Sequence, residues 1–126
     1  MLFDPERVRA RANDDPEFTI AARDWNMKLR IDVGDTPYVV EIRDGRITSF
    51  AAVDSAQASR VRHDALIAAP IDDWREFLRP APRPFFQDLF AALEREHFRL
   101  EAGDPFHFLA YYPAARRLFD IMRGSH

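Results

Sequence analysis

Adjacent acids and scattered histidines are the residues of this chain whose types could do chemistry. Asp72-Asp73 places two carboxylates in succession, but neighbours on a helix do not face each other, so the pair reads as first-turn acids complementing a helix dipole. His63-Asp64 is a formal acid–base dyad set in a polar connection. By type, His63, His97 and His107 could ligate a metal, yet no His-x-x-x-His spacing occurs and cysteine is absent. Glu94-Arg95-Glu96-His97 reads as a charged helix end. Ser49, Ser55 and Ser59 have no Gly-x-Ser-x-Gly setting for a nucleophile, and the four glycines form no phosphate loop. The sequence therefore assigns no catalytic residue, no metal and no cofactor.

What it does supply is apolar surface. Six phenylalanines and tyrosines run from Phe98 to Phe119 inclusive, and Phe85, Phe86, Leu89, Phe90 and Leu93 precede them. An apolar pocket needs more inward-facing side chain than a close-packed interior uses, and the last forty or so residues offer that surplus. The candidate lining residues are Phe86, Leu89, Phe90, Phe106, Leu109, Tyr112, Phe119 and Met122, with Arg116 as a candidate for an anionic head group. Helical spacing puts Phe106, Leu109 and Tyr112 on one stripe and leaves Phe108 and Tyr111 off it, facing solvent, a partner or a ligand. The same rings, at the same spacing, would also serve as ordinary core.

Composition narrows the partners. The 126 residues fit one domain, 1–126, with 1–16 as a helical lead-in. A net charge of -3 and basic residues interleaved with acids give no footprint for nucleic acid. No run approaches the ~20 apolar residues of a membrane span, and "MLFDPERVRARANDDPE" lacks a signal-peptide core, so a cytoplasmic protein is the expectation. Residues 124–126 could be a cloning remnant and carry no weight.

The elements that must position these residues follow from period and punctuation. Asp4-Pro5-Glu6 opens a short helix, and Asp15-Pro16-Glu17 repeats the signal for a second, with a strand through Thr19 and Ile20 as the alternative. Trp25 to Val33 alternates apolar and polar residues, Gly34-Asp35 turns the chain, and Tyr38, Val40 and Ile42 face inward from a second strand. Asp44-Gly45 is a two-residue hairpin turn before a third strand over Ile47–Val53. "DSAQASRVRHD" is a polar connection with room for part of a strand, "ALIAAP" a buried strand and "IDDWREFL" a short helix. The prolines of 79–84 demand an extended connector. A helix carrying Phe86, Leu89, Phe90 and Leu93 leads to a fifth strand over His97–Ala102, and Gly103-Asp104-Pro105 starts a closing helix that Pro113 kinks or restarts. The expected fold is α+β, a mostly antiparallel five-stranded sheet covered by helices on one face, with the fifth strand returning by a crossover.

The order of these signals resembles that of the sterol carrier protein 2 (SCP-2) lipid-binding domain. Gly34-Asp35, Asp44-Gly45, Trp74 and Gly103-Asp104 stand at the matching turns and helix, over roughly residues 17–123. The "RPAPRP" segment and the Pro113 break depart from that pattern. The resemblance implies an apolar tunnel for fatty acyl chains, acyl-CoA or sterols, and no catalysis. The partner expected is thus a hydrophobic small molecule, with passing membrane contact and a homodimer both compatible. Two alternatives stand beside it: an interaction module using Phe108 and Tyr111 as an exposed patch, and a small cone-shaped isomerase or dehydratase. That enzyme type ends on strands, whereas this chain ends on a helix.

Overall fold

Aspartate-proline pairs start three of the helices in the computed structural model, which describes residues 2–95 and 97–125. Glu96, from the expected charged helix end, and His126, from the terminal tract, lie outside the described residues. Asp4 accepts from the backbone N–H groups of Glu6 and Arg7 and opens α1 (Pro5–Asp14). Asp15 accepts from Phe18 and opens α2 (Pro16–Ala21). In each case proline occupies a position whose N–H has no helical partner to lose.

The alternating segment becomes β1 (Met27–Val33), whose odd-numbered side chains are buried while the even-numbered ones are half-buried. β1 runs antiparallel to β2 (Thr36–Arg43), and β2 antiparallel to β3 (Arg46–Ala52). At the second hairpin both Asp44 (φ 49°) and Gly45 (φ 78°) are left-handed, as the Asp-Gly pair predicts. Gly45 is also packed tightly: a Cβ there would sit 2.6 Å from the Ala22 carbonyl oxygen.

The polar connection after β3 holds a helix the sequence reading missed, α3 (Ser55–Arg60). Asp54 and Gln57 form a reciprocal capping box around its first turn. This helix carries the crossover. It delivers β4 (Ala65–Ala69) parallel to β1, and β5 (Arg99–Ala102) then pairs antiparallel with β4 after α4 (Ile71–Phe77) and α5 (Leu89–Arg95). The sheet order is β3-β2-β1-β4-β5. The expected α+β sheet of five mostly antiparallel strands is present, with its one parallel pair made by α3 rather than by the fifth strand. α3 lies over the outer face, where Arg30 donates to the Ala58 carbonyl (3.4 Å) and pairs with Asp32 (2.8 Å).

The remaining helices cover the inner face. α6 (Pro105–Ala110) is capped by Asp104, and α7 (Tyr112–Arg123) restarts the chain with Pro113 in its first turn. One core unites them with the sheet, around Trp74, Phe77, Phe98 and Phe119, whose rings meet at centroid distances of 4.9–6.2 Å. Trp74 also donates its indole N–H to the Asp32 carbonyl at 2.8 Å. The proline connector between α4 and α5 is fastened by Glu76, which accepts from the Arg83 backbone N–H (2.8 Å) and pairs with Arg79 and Arg83. Among the described residues no helix is long and apolar enough to cross a membrane.

Candidate functional site

Pro105 and Pro113 bracket α6, and that punctuation decides which aromatic rings turn inward. Pro113 lacks the N–H that would continue the helix, so Tyr111 adopts φ -108°, ψ 17° between the two segments. A helical stripe cannot be carried across such a break. The expected stripe of Phe106, Leu109 and Tyr112 is accordingly not the buried one. Phe106 is 83% exposed and Leu109 48% exposed, whereas Phe108 is 1% exposed. Tyr111 stacks on buried Trp25 at 5.5 Å and 9°. The exposed patch expected from Phe108 and Tyr111 does not exist, because these two rings are what hold α6 against the body.

The nine candidate residues separate into two groups. Phe86, Leu89, Phe119 and Met122 are buried members of the common core. Phe90, Phe106, Leu109 and Arg116 are exposed, and Tyr112 lies half-buried between the two groups. The structure joins part of the second group: the Phe90 and Tyr112 rings meet at 4.3 Å. Tyr112 lines a depression of about 260 Å³ with Glu17, Ala21, Pro113, Arg116, Arg117 and Asp120. Its hydroxyl donates to Asp88. Burial, and then that carboxylate, push the Tyr112 phenol far above its ordinary range, so it stays a donor.

The charges around this depression are largely balanced. Arg117 reaches both oxygens of Asp15 (3.0 and 2.9 Å) and lies 2.8 Å from Glu17. Its guanidinium holds the Asp15 carboxyl below the usual range, and its own proton is held more firmly in return. Among the described residues Arg116 keeps only a 3.9 Å pairing with Asp88.

α6 itself is lightly attached. Its backbone bonds are local, Phe108 N–H to Asp104 and Tyr111 N–H to Phe108 (both 3.2 Å). Among the described residues, the side chains of Pro105–Ala110 make no hydrogen bond to another element. Burying one phenylalanine contributes about 1.5–3 kcal/mol, and an aromatic stack adds about 0.5–1.5 kcal/mol. Contacts of that size allow a short helix to lift without the domain unfolding. The segment before α5 is held more firmly: Arg123 donates to the carbonyls of Phe77 (2.8 Å), Phe86 (3.2 Å) and Gln87 (3.3 Å) and stacks over the Phe77 ring.

The other chemistry considered from sequence disperses. Asp72 pairs with Arg75, and Asp73 with His97, so the two acids point to different partners. Among the described residues no three His, Asp or Glu side chains are arranged to hold a metal ion. His63 and Asp64 border one cleft but make no hydrogen bond to each other; His107 from α6 joins them there.

No family model matches the sequence, and no curated protein matches it. Solved structures do. The crystal structure of sterol carrier protein 2 superposes with a TM-score of 0.76 at 22% identity, covering 100% of both chains. The solution structure of a conserved hypothetical protein from Thermus thermophilus, described as possibly a sterol carrier protein, gives 0.71 at 23% identity, over 98% of this chain and 89% of that one. A UbiJ-SCP2 ubiquinone synthesis protein gives 0.59 at 11% identity, over 96% and 88%. The chain has the SCP-2-like fold.

Proposed function

We propose that this chain is a non-catalytic carrier. It takes a hydrophobic ligand, such as a fatty acyl chain, an acyl-CoA or a sterol-like molecule, between its sheet and its C-terminal helices and later releases it. The observation that supports this reading best is the construction of α6. The helix shows Phe106 and Leu109 to solvent, is fixed inward by Phe108 and the Tyr111–Trp25 stack, and is bounded by a proline at each end. An apolar ligand, or the membrane that supplies it, meets the outer rings first, with Phe90 and Tyr112 alongside. Lifting α6 then opens a way toward the interior, where Phe86, Leu89, Phe119 and Met122 exchange contacts with one another for contacts with the ligand. Arg116 takes the ligand's anionic end.

The energetics are compatible. Each methylene removed from water contributes about 0.8 kcal/mol, so a sixteen-carbon chain offers on the order of 10 kcal/mol before ordering costs. That outweighs the few kcal/mol needed to lift α6. Native mass spectrometry of protein purified from cells, paired with displacement of a fluorescent fatty acid, tests the reading. A lipid-sized 1:1 adduct and saturable displacement are expected. Adduct-free protein that also leaves the fluorescent probe unaffected would sink it.

A further inference from the structure

At the end of the sheet remote from the Gly34 turn lies a cleft of about 400 Å³, lined by Asn26, Met27, Arg62, His63, Asp64, Gly103, Asp104 and His107. Three chain segments meet there because β4 lies beside β1, and β5 beside β4. The volume is within the range of small-molecule sites. Its two acids are anchored, and its charged groups do not neutralise one another. The Asp64 carboxylate accepts the Lys28 N–H at 2.8 Å through one oxygen, and its backbone ties β1 to the end of β5 through Lys28 and Gly103. Asp104 accepts the His107 N–H at 3.2 Å through one oxygen. Each carboxylate thus keeps a second oxygen with no partner among the described residues. Arg62 likewise forms no hydrogen bond or ion pair among them, although both acids border the same cleft.

Two histidines of the lining, and Trp25 outside it, show the same unused capacity. His63 Nδ1, His107 Nε2 and Trp25 Nε1 are shielded from solvent and have no hydrogen-bond partner among the described residues. The His107 and Trp25 rings share one neighbour, Tyr111, which lies 5.4 Å from His107 and 5.5 Å from Trp25. A sheltered polar atom without a partner raises the free energy of the empty arrangement, and a ring that turns to meet a ligand recovers it.

We propose that this cleft binds a small zwitterion, whose carboxylate or phosphate pairs with Arg62 and whose ammonium sits between Asp64 and Asp104. The arrangement argues against simpler ligands. A bare anion would meet two carboxylates, a bare cation would meet Arg62, and an apolar group would cover charges without partnering them. A molecule carrying both signs satisfies all three at once, and each new contact is a charge-assisted hydrogen bond. The cleft shares no lining residue with the depression around Tyr112, but His107 and the cap Asp104 tie it to α6, the helix that lifts in the carrier reading.

The test uses the full chain, isotope-labelled for NMR, titrated with phosphoethanolamine, with inorganic phosphate and ethanolamine as half-ligand controls. Phosphoethanolamine is expected to shift the amides of Met27, Asp64, Gly103 and His107 saturably, with each half-ligand at least about tenfold weaker, a difference of about 1.4 kcal/mol. R62Q, on an exposed side chain outside the core, should weaken binding by a similar factor with an unchanged melting temperature. Sedimentation with phosphatidylethanolamine-containing vesicles separates the sources. Co-sedimentation lost in R62Q identifies a lipid head group, and soluble binding without it identifies a free metabolite. Phosphate binding as tightly as the zwitterion, an R62Q variant that binds undiminished, or no shift at about 10 mM ligand would each overturn the proposal.

Discussion

Truncating Phe108 to alanine tests directly whether α6 is a separable cover. In a rigid interior a Phe→Ala change removes about 3–5 kcal/mol, because the site cannot collapse around the void. Phe108 is fully buried, so a rigid domain would lose that amount. A cover held by Phe108 and by the Tyr111–Trp25 stack behaves differently. The global loss is capped by what holding α6 down contributes, about 2–4.5 kcal/mol in all, and the loss appears first as local opening. Removing the Phe108 contribution of about 1.5–3 kcal/mol lowers the opening free energy of α6 by the same amount. At a factor of ten per 1.4 kcal/mol, amide exchange at Phe108 and Tyr111 accelerates by about 10- to 150-fold. Protection in β1, β2 and the middle of α7 should change far less. Hydrogen exchange read by NMR, alongside urea denaturation, measures both quantities. A loss of about 3–5 kcal/mol spread evenly over all protected amides, the rigid-interior result, would refute the separable cover.

Other consequences follow from named contacts. D15N keeps the side-chain oxygen that caps α2 but loses charge toward Arg117, and should destabilise by about 1 kcal/mol at neutral pH. The folded Asp15 carboxyl is held below its ordinary value near 3.9, so its contribution is present above that value and is lost as pH falls through the folded pKa. Urea midpoints of D15N and the parent chain should therefore converge in acid; a gap that persists would show that the charge is not the cause. G45A places a Cβ 2.6 Å from the Ala22 carbonyl at a left-handed position, and should cost more than about 1–2 kcal/mol, read as a melting temperature at least about 5 °C lower. R123A releases the carbonyls of Phe77, Phe86 and Gln87, so limited proteolysis should cut the 79–88 connector faster; R123K should not restore protection, because one ammonium cannot reproduce the fork.

The strands and hairpins were legible because their signals are local: alternation over 27–33, the Asp44-Gly45 pair, and Asp-Pro at three helix starts. α3 was missed although its capping pair, Asp54 and Gln57, stands in the sequence, since its six residues bury only Ala58 and show no apolar stripe. The parallel pairing of β1 and β4 left no mark on either strand that a reader could use. The site was less legible still. Extending one helical period through Pro113 inverted the roles of Phe108 and Leu109, when a restart at Tyr112 allows no single period. The cleft of Arg62, His63 and His107 was invisible for a different reason: its residues meet only through the strand order.

Carriage of a hydrophobic ligand beneath the C-terminal helices is tested most directly by titrating the isotope-labelled chain with a sixteen-carbon fatty acid while following every amide and both tryptophan indole signals. The account predicts saturable shifts at the Trp25 indole, throughout Phe106–Tyr112, and at the buried positions Phe86, Leu89 and Phe119. Shifts confined to exposed residues, with the Trp25 indole and the interior unmoved at saturating ligand, would contradict it.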